Sequence, residues 1–138
     1  MELSPPVRQF VESVRVARLA TLDARGAPHV VPVCFVLLDG RVYSVVDEKP
    51  KRTTRLQRLL NVAADPRATL LVDRYDEDWT RLAWVMLRGH AEVIESSEAD
   101  ADVLTALREK YPQYRAMALE GLPVVCLTPE RVNAWGLV

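Results

Sequence analysis

Residues 18–47, RLATLDARGAPHVVPVCFVLLDGRVYSVVD, decide the architecture. Three runs rich in β-branched residues are separated by two turn signals, DARGAP and the pair Asp39-Gly40. An Asp-Gly pair between apolar runs is a strong hairpin signal, because both residues tolerate the positive φ that a tight turn demands. Pro32 lies inside the second run and cannot donate to a strand ladder. Its position is therefore predicted at a sheet edge, at a bulge or on a strand facing a ligand.

Working outward, Ser4 and Pro5 predict a helix start with a hydroxyl cap, and Val7, Phe10, Val11 and Val14 recur at helical spacing. A second helix is predicted from Thr53 or Thr54, with Leu56, Leu59, Leu60 and Ala63 as its apolar stripe and Asp65-Pro66-Arg67 as its end. Then follow the strand ATLLVDRY, a polar loop DEDWTR and the long strand LAWVMLRGHAEVI, in which Gly89 marks a bulge. Ser97 is placed to cap a third helix, with Glu98, Asp100 and Asp102 early and Arg108 and Lys110 late, as the helix dipole favours. PVVCLTPERVNAWGLV supplies a last strand or two. The sum is a mainly β (α+β) chain of about six hairpin-connected strands with three peripheral helices. It lacks the βαβ alternation of a doubly wound sheet, and a small antiparallel barrel suits the pattern better. With five glycines and no G-x-G-x-x-G, a Rossmann dinucleotide site is excluded.

The 138 residues, 49% hydrophobic and 27% charged, predict one globular domain over 1–138. No stretch suits a signal peptide or a membrane span, and Cys34 and Cys126 sit in apolar runs without metal-ligand spacing. They are predicted to be buried reduced thiols of a cytoplasmic protein, with no membrane partner and no metal.

Charge is unevenly placed. The net charge is −1, yet Lys49, Lys51, Arg52, Arg55 and Arg58 fall within ten residues that contain no acid. Without these five, the chain carries 13 basic against 19 acidic residues. Cations ahead of a helix oppose its dipole, and an anion held between them offsets that cost. Arginine forks suit phosphate or carboxylate oxygens, and lysine adds a mobile point charge. A solvated basic face is the competing reading. No aromatic residue interrupts the cations to stack on bases, which disfavours nucleic acid.

Other chemistry is sparse. His29 and His90 read as structural or surface residues, and no nucleophile, P-loop or metalloprotease motif is present. No catalytic residue is assigned. Trp79, after an acidic loop, is placed to line a groove. An enzyme without its own acid, base or nucleophile borrows reactivity from a cofactor.

The order of these motifs resembles the pyridoxamine-phosphate-oxidase-like split β-barrel superfamily of flavin-reductase type. EKPKRT, NVAADPR and DWTRLAWVMLRGHAEVI look most like the subgroup of coenzyme F420-dependent enzymes. The resemblance implies a six-stranded antiparallel split β-barrel, paired as a homodimer with cofactor grooves at the subunit interface. It implies that Pro32 and Val33 flank the ring, with Tyr43 and Ser44 on the neighbouring strand. Lys49, Lys51, Arg52, Arg55 and, less directly, Arg58 would meet the phosphate and tail, and Trp79 or Trp135 of a second chain would close the groove. The implied activity is hydride transfer from reduced F420 to a small electrophilic substrate. The alternatives are an FMN-binding reductase or oxidase and a non-catalytic cofactor- or haem-binding protein. NAWGLV lacks the Arg- and His-bearing C-terminal motif of true pyridoxamine-phosphate oxidases, which argues against vitamin B6 phosphates as substrates.

Overall fold

The computed structural model describes residues 2–46, 53–95 and 101–137, and of residues 53–56 the backbone alone. Helix α1 (Pro5–Ser13) buries Phe10 and Val11. Ser4 holds the N-cap position with extended backbone, but its hydroxyl makes no cap bond, contrary to expectation. Strands β1 (Ala17–Leu22) and β2 (Pro28–Val33) form the first hairpin. Its turn is tied by Asp23, whose Oδ1 accepts the N–H groups of Ala27 and Arg25, both at 2.9 Å. Those amides hold the Asp23 carboxyl below its ordinary range.

The second β-rich run does not stay one strand. It breaks at Cys34 and Phe35, and β3 (Val36–Leu38) then pairs with β4 (Arg41–Val45). Asp39 and Gly40 turn that hairpin with φ of 52° and 77°, as the sequence predicts. Strands β5 (Arg67–Arg74), β6 (Ala83–Glu95) and β7 (Pro123–Trp135) complete a seven-stranded sheet, in the order β2-β1-β5-β6-β7-β4-β3, with every neighbour antiparallel. The expected count of six is corrected to seven, because one continuous run changes partner midway.

The two edge strands are consecutive in the chain. Val33 and Val36 stand three virtual bonds apart, so the edges lie within about 11 Å of each other. The sheet must curl to allow this, yet no ladder joins β2 to β3 and the barrel stays open. Pro32 lies on an edge strand, one of its predicted positions.

Inside the curl, Leu19, Leu70, Val72, Val85, Leu87 and Leu127 pack with Phe10 and Val11 of α1. The expected bulge is present: Arg88 faces Arg131 while Gly89 faces Pro129, leaving Glu130 as the extra residue. Gly89 is required there, since a Cβ would stand 1.9 Å from the Thr128 carbonyl oxygen.

Helix α2 (Thr53–Ala64) begins where predicted but is rotated from its predicted phase. Asn61 and Val62 are buried, while Leu60 is 62% exposed and Ala63 is exposed. A polar chain occupies the inner side: Gln57 Nε2 donates to Asn61 Oδ1 at 2.6 Å, and Asn61 Nδ2 donates to Thr21 Oγ1 at 3.1 Å. Helix α3 (Ala101–Lys110) and the 3₁₀ turn Pro112–Ala116 roof one half of the outer face, where Leu104, Leu107 and Tyr114 pack on Val36, Val45 and Val124. Asp102 lies in the first turn of α3, and Arg108 and Lys110 lie in the last. Ser97, Glu98 and Asp100 fall outside the described residues. Among the described residues no helix is long and apolar enough to cross a membrane, and no group of acidic, His and Cys residues could hold a metal ion.

Candidate functional site

The predicted ring-binding segments meet at the seam between the sheet edges. Ser44 Oγ donates to the Cys34 carbonyl at 2.8 Å, which ties β4 to the residue following Val33. Tyr111, just beyond α3, completes the seam: its hydroxyl accepts the Phe35 N–H at 3.0 Å. The same hydroxyl lies 2.8 Å from the Arg15 carbonyl and 3.0 Å from the Phe35 carbonyl, donating its single proton to one at a time. Burial pushes the Tyr111 phenol up to about 12. Lys110 sits 3.8 Å over the Phe35 ring, and Arg15 lies 5.0 Å over the Tyr111 ring while donating to the Lys110 carbonyl. Burial, then the charge of Arg15, lowers the Lys110 ammonium to about 8.

The segments meet, but their side chains do not share one surface. Pro32 is exposed on the outer face of β2, whereas Val33 is buried in the interior core. Ser44 is buried, its hydroxyl spent on Cys34, and Tyr43 is half-buried against the cluster under α3. Burial raises the Tyr43 phenol and the Cys126 thiol above their ordinary values. Cys126 is buried and free as expected, but Cys34, also free, is only half-buried.

The edge of β2 offers a different surface for a flat heterocycle. Pro32 cannot donate, so its pairing with Arg18 is of the non-hydrogen-bonded kind, and alternation turns the backbone of Val30 and Pro32 toward the open edge. Val30 is 58% exposed. An N–H and carbonyl groups thus border a small apolar plane. That arrangement fits the edge of a flavin or deazaflavin ring, which carries both carbonyls and an N–H.

From this edge the outer face runs across the sheet in register. Pro32, Arg18, Leu71, Met86 and Asn133 form one cross-strand row, and Asp73, Trp84 and Trp135 form another. No described element covers β1, β5 or the first half of β6 on this side. Trp79 stands 69% exposed on the 3₁₀ turn Trp79–Arg81 beyond the β5 end, its Nε1 3.4 Å from the Tyr75 hydroxyl. Trp135 is 53% exposed. Neither tryptophan lies at the seam.

Of the cation stretch, Lys49, Lys51 and Arg52 lie outside the described residues, and Arg55 is described by its backbone alone. Arg58 is half-buried on α2. The Tyr111, Lys110 and Arg15 cluster escapes sequence reasoning. Its one local signal is the Tyr-Pro pair that ends α3, and the contacts themselves are long-range.

Solved structures of the same fold give context. A conserved hypothetical protein from Mycobacterium tuberculosis shares 25% identity at a TM-score of 0.78, over 99% of this chain and 86% of its own. A haem-binding protein from Mycobacterium smegmatis shares 26% identity at 0.75, over 99% of this chain but 55% of its own, so this chain spans about half of that protein. A FAD-binding protein from Mesorhizobium loti, at 20% identity and 0.66 over 96% and 94% of the two chains, shares the fold. Among curated proteins, none matches the sequence. The sequence profile of pyridoxamine 5'-phosphate oxidase matches residues 3–136, and the chain belongs to that family.

Proposed function

We propose that this chain is an oxidoreductase that uses reduced coenzyme F420 as hydride donor to a small electrophilic substrate, the cofactor lying in a groove between two copies of the chain. The observation that carries this reading is the run of five cations in a chain of this family, with Lys49, Lys51 and Arg52 between β4 and α2 in sequence and Arg55 and Arg58 in the first turns of α2. F420 carries a phosphate followed by a polyglutamate tail, so its anionic part is longer than that of FMN, and five cations exceed the need of one phosphate. The deazaflavin supplies two-electron hydride chemistry when bound.

The chain's part is positioning. The open edge at Val30 and Pro32 borders the ring, Tyr43 and Ser44 shape the adjoining seam, and Val33 supports β2 from the core. Lys49, Lys51, Arg52 and Arg55 grip phosphate and tail, with Arg58 secondary. Trp79 or Trp135 of a second copy closes the groove, brought there by pairing across the uncovered outer face. Holding donor and acceptor at about 3–3.5 Å is the catalytic contribution. No side chain is assigned as acid, and solvent supplies the proton.

Fluorescence titration of the purified chain with F420 and with FMN tests this reading. Saturable F420 binding, weakened far more by Lys51→Glu or Arg52→Glu than by Arg58→Glu, is the expected result. Binding of FMN alone, or of neither, overturns it. Equal losses in all three variants would point to diffuse electrostatics instead of a pocket. A yellow protein as purified would instead establish the FMN-binding reductase or oxidase. A non-catalytic haem carrier is a further reading, favoured by the 26% identity to the mycobacterial haem-binding protein. Haem titration with no turnover of electrophiles would establish it.

A further inference from the structure

We propose that the cleft at the β6–β7 bulge is a phosphate-binding site built by Arg67, Arg88 and Arg131. The site is separate from the cation stretch ahead of α2 and does not depend on the cofactor reading.

These three arginines, with Thr69 and Glu130, line a cavity of about 500 Å³. Register brings them together: on the outer face Arg88 stands directly across from Arg131 on one side and from Thr69 on the other. Like charges directly opposite one another on a sheet face destabilise the pairing. Here the pair is not relieved by neighbouring acids. Among the described residues, no carboxylate lies within 4.0 Å of either Arg88 or Arg131. Glu130, the one acid lining the cleft, faces His90 Nδ1 at 3.5 Å.

The donors are also partly fixed before any ligand arrives. Arg88 Nη2 donates to Asn133 Oδ1 at 3.1 Å, while its Nε is buried without a hydrogen-bond partner. A buried guanidinium N–H with no acceptor is costly unless something outside the described chain supplies one. Arg67 is held in place by Asp65, with Nε to Oδ1 at 3.1 Å and Nη2 to Oδ2 at 2.7 Å. That pairing holds the Asp65 carboxyl at about 2. The bulge contributes too, since it brings Gly89, Glu130 and Arg131 together in the lining of the cleft. Arg88 and Arg131, with Arg67 already paired to Asp65 beside them, face Glu130 as the one carboxylate of the lining. With the Thr69 hydroxyl they match a tetrahedral dianion that accepts several charge-assisted bonds at once. The ligand is therefore a phosphate, free or at the end of a small ester.

Calorimetric titration of the intact chain with inorganic phosphate, against chloride at matched ionic strength, tests the proposal. Saturable binding is expected, weakened about tenfold or more by Arg131→Gln and by Arg88→Gln, and unchanged by Arg25→Gln in the exposed β1–β2 turn. Arg131 is exposed, so its variant folds even where Arg88→Gln disturbs the Asn133 contact. A parallel titration with glycerol phosphate identifies the source: tighter binding marks a phosphate ester as the ligand, and equal binding marks free phosphate. Absence of saturable binding overturns the site, as does undiminished affinity in Arg131→Gln. Loss confined to Lys51→Glu overturns it as well, and places the anion in the cofactor stretch.

Discussion

Beneath α3 the outer face of the sheet carries Val36, Val45 and Val124, all buried. Across β1, β5 and the first half of β6 the same face carries Ala20, Leu71, Trp84 and Met86, and no described element lies over them. The roofed half is apolar, whereas the bare half mixes its apolar side chains with Arg18, Asp73, Thr69 and Arg88, and burial separates the two. The roofed half draws its stability from helix-on-sheet packing. The bare half contributes a patch of the kind that marks a contact site on a folded protein. Under the proposed function, stability and binding therefore fall to different parts of one sheet.

The sharpest way to break this contrast is to cut into the roof. Leu107 is wholly buried against the sheet, and Leu107→Ala is expected to cost about 3 kcal/mol, read by urea denaturation. A loss below about 1 kcal/mol would mean that α3 contributes little, and the distinction would fail. Tyr111→Phe comes next, at about 2 kcal/mol, because the Phe35 N–H and the carbonyls beside it lose their partner while remaining buried.

A smaller effect is expected from Lys110. Its folded value of about 8 lies below the ordinary 10.5, so between these values the folded chain binds fewer protons than the unfolded one. Stability therefore rises as pH increases through that window. Tyr111 acts oppositely above pH 10, where its ordinary value of 10.0 is passed in the unfolded chain, its folded value being about 12. Lys110 is only half-buried, so screening reduces the gain to about 1 kcal/mol. Denaturation of the native chain and of Lys110→Met at pH 7.5, 8.5 and 9.5 isolates it, and parallel curves would refute it.

The smallest change in stability is expected on the bare half. Leu71→Ser and Met86→Ser should each leave the stability of the monomer within about 0.5 kcal/mol of the native value. Their effect lies in the proposed pairing of two copies: sedimentation should show native chains as pairs and these variants as single chains. A large loss of stability without any change in mass would show that these residues serve the fold itself.

Features set by a single residue's backbone were legible in the sequence. Asp39 and Gly40 marked a turn by their φ preference, Pro32, by its missing N–H, one of three positions of which an edge is the one found, and Gly89 a bulge by its missing side chain. Features set by partner choice were not. The run 28–38 reads as one strand because β propensity does not reveal that its two halves pair with different neighbours. The phase of α2 was misread because its buried side includes Asn61, a polar residue satisfied by Thr21 forty positions earlier. Of the site residues expected from sequence, Pro32 is found on an edge strand, while Lys49, Lys51 and Arg52 lie outside the described residues. Tyr111 and Phe35 stand 76 residues apart, and no window of sequence pairs them.

The Phe35 N–H is held by a phenol beyond α3, not by a neighbouring strand. Its exchange with deuterium should therefore keep time with the lifting of that helix and lag behind the fraying of either sheet edge. One peptide hydrogen serves as a gauge of whether the open barrel is latched.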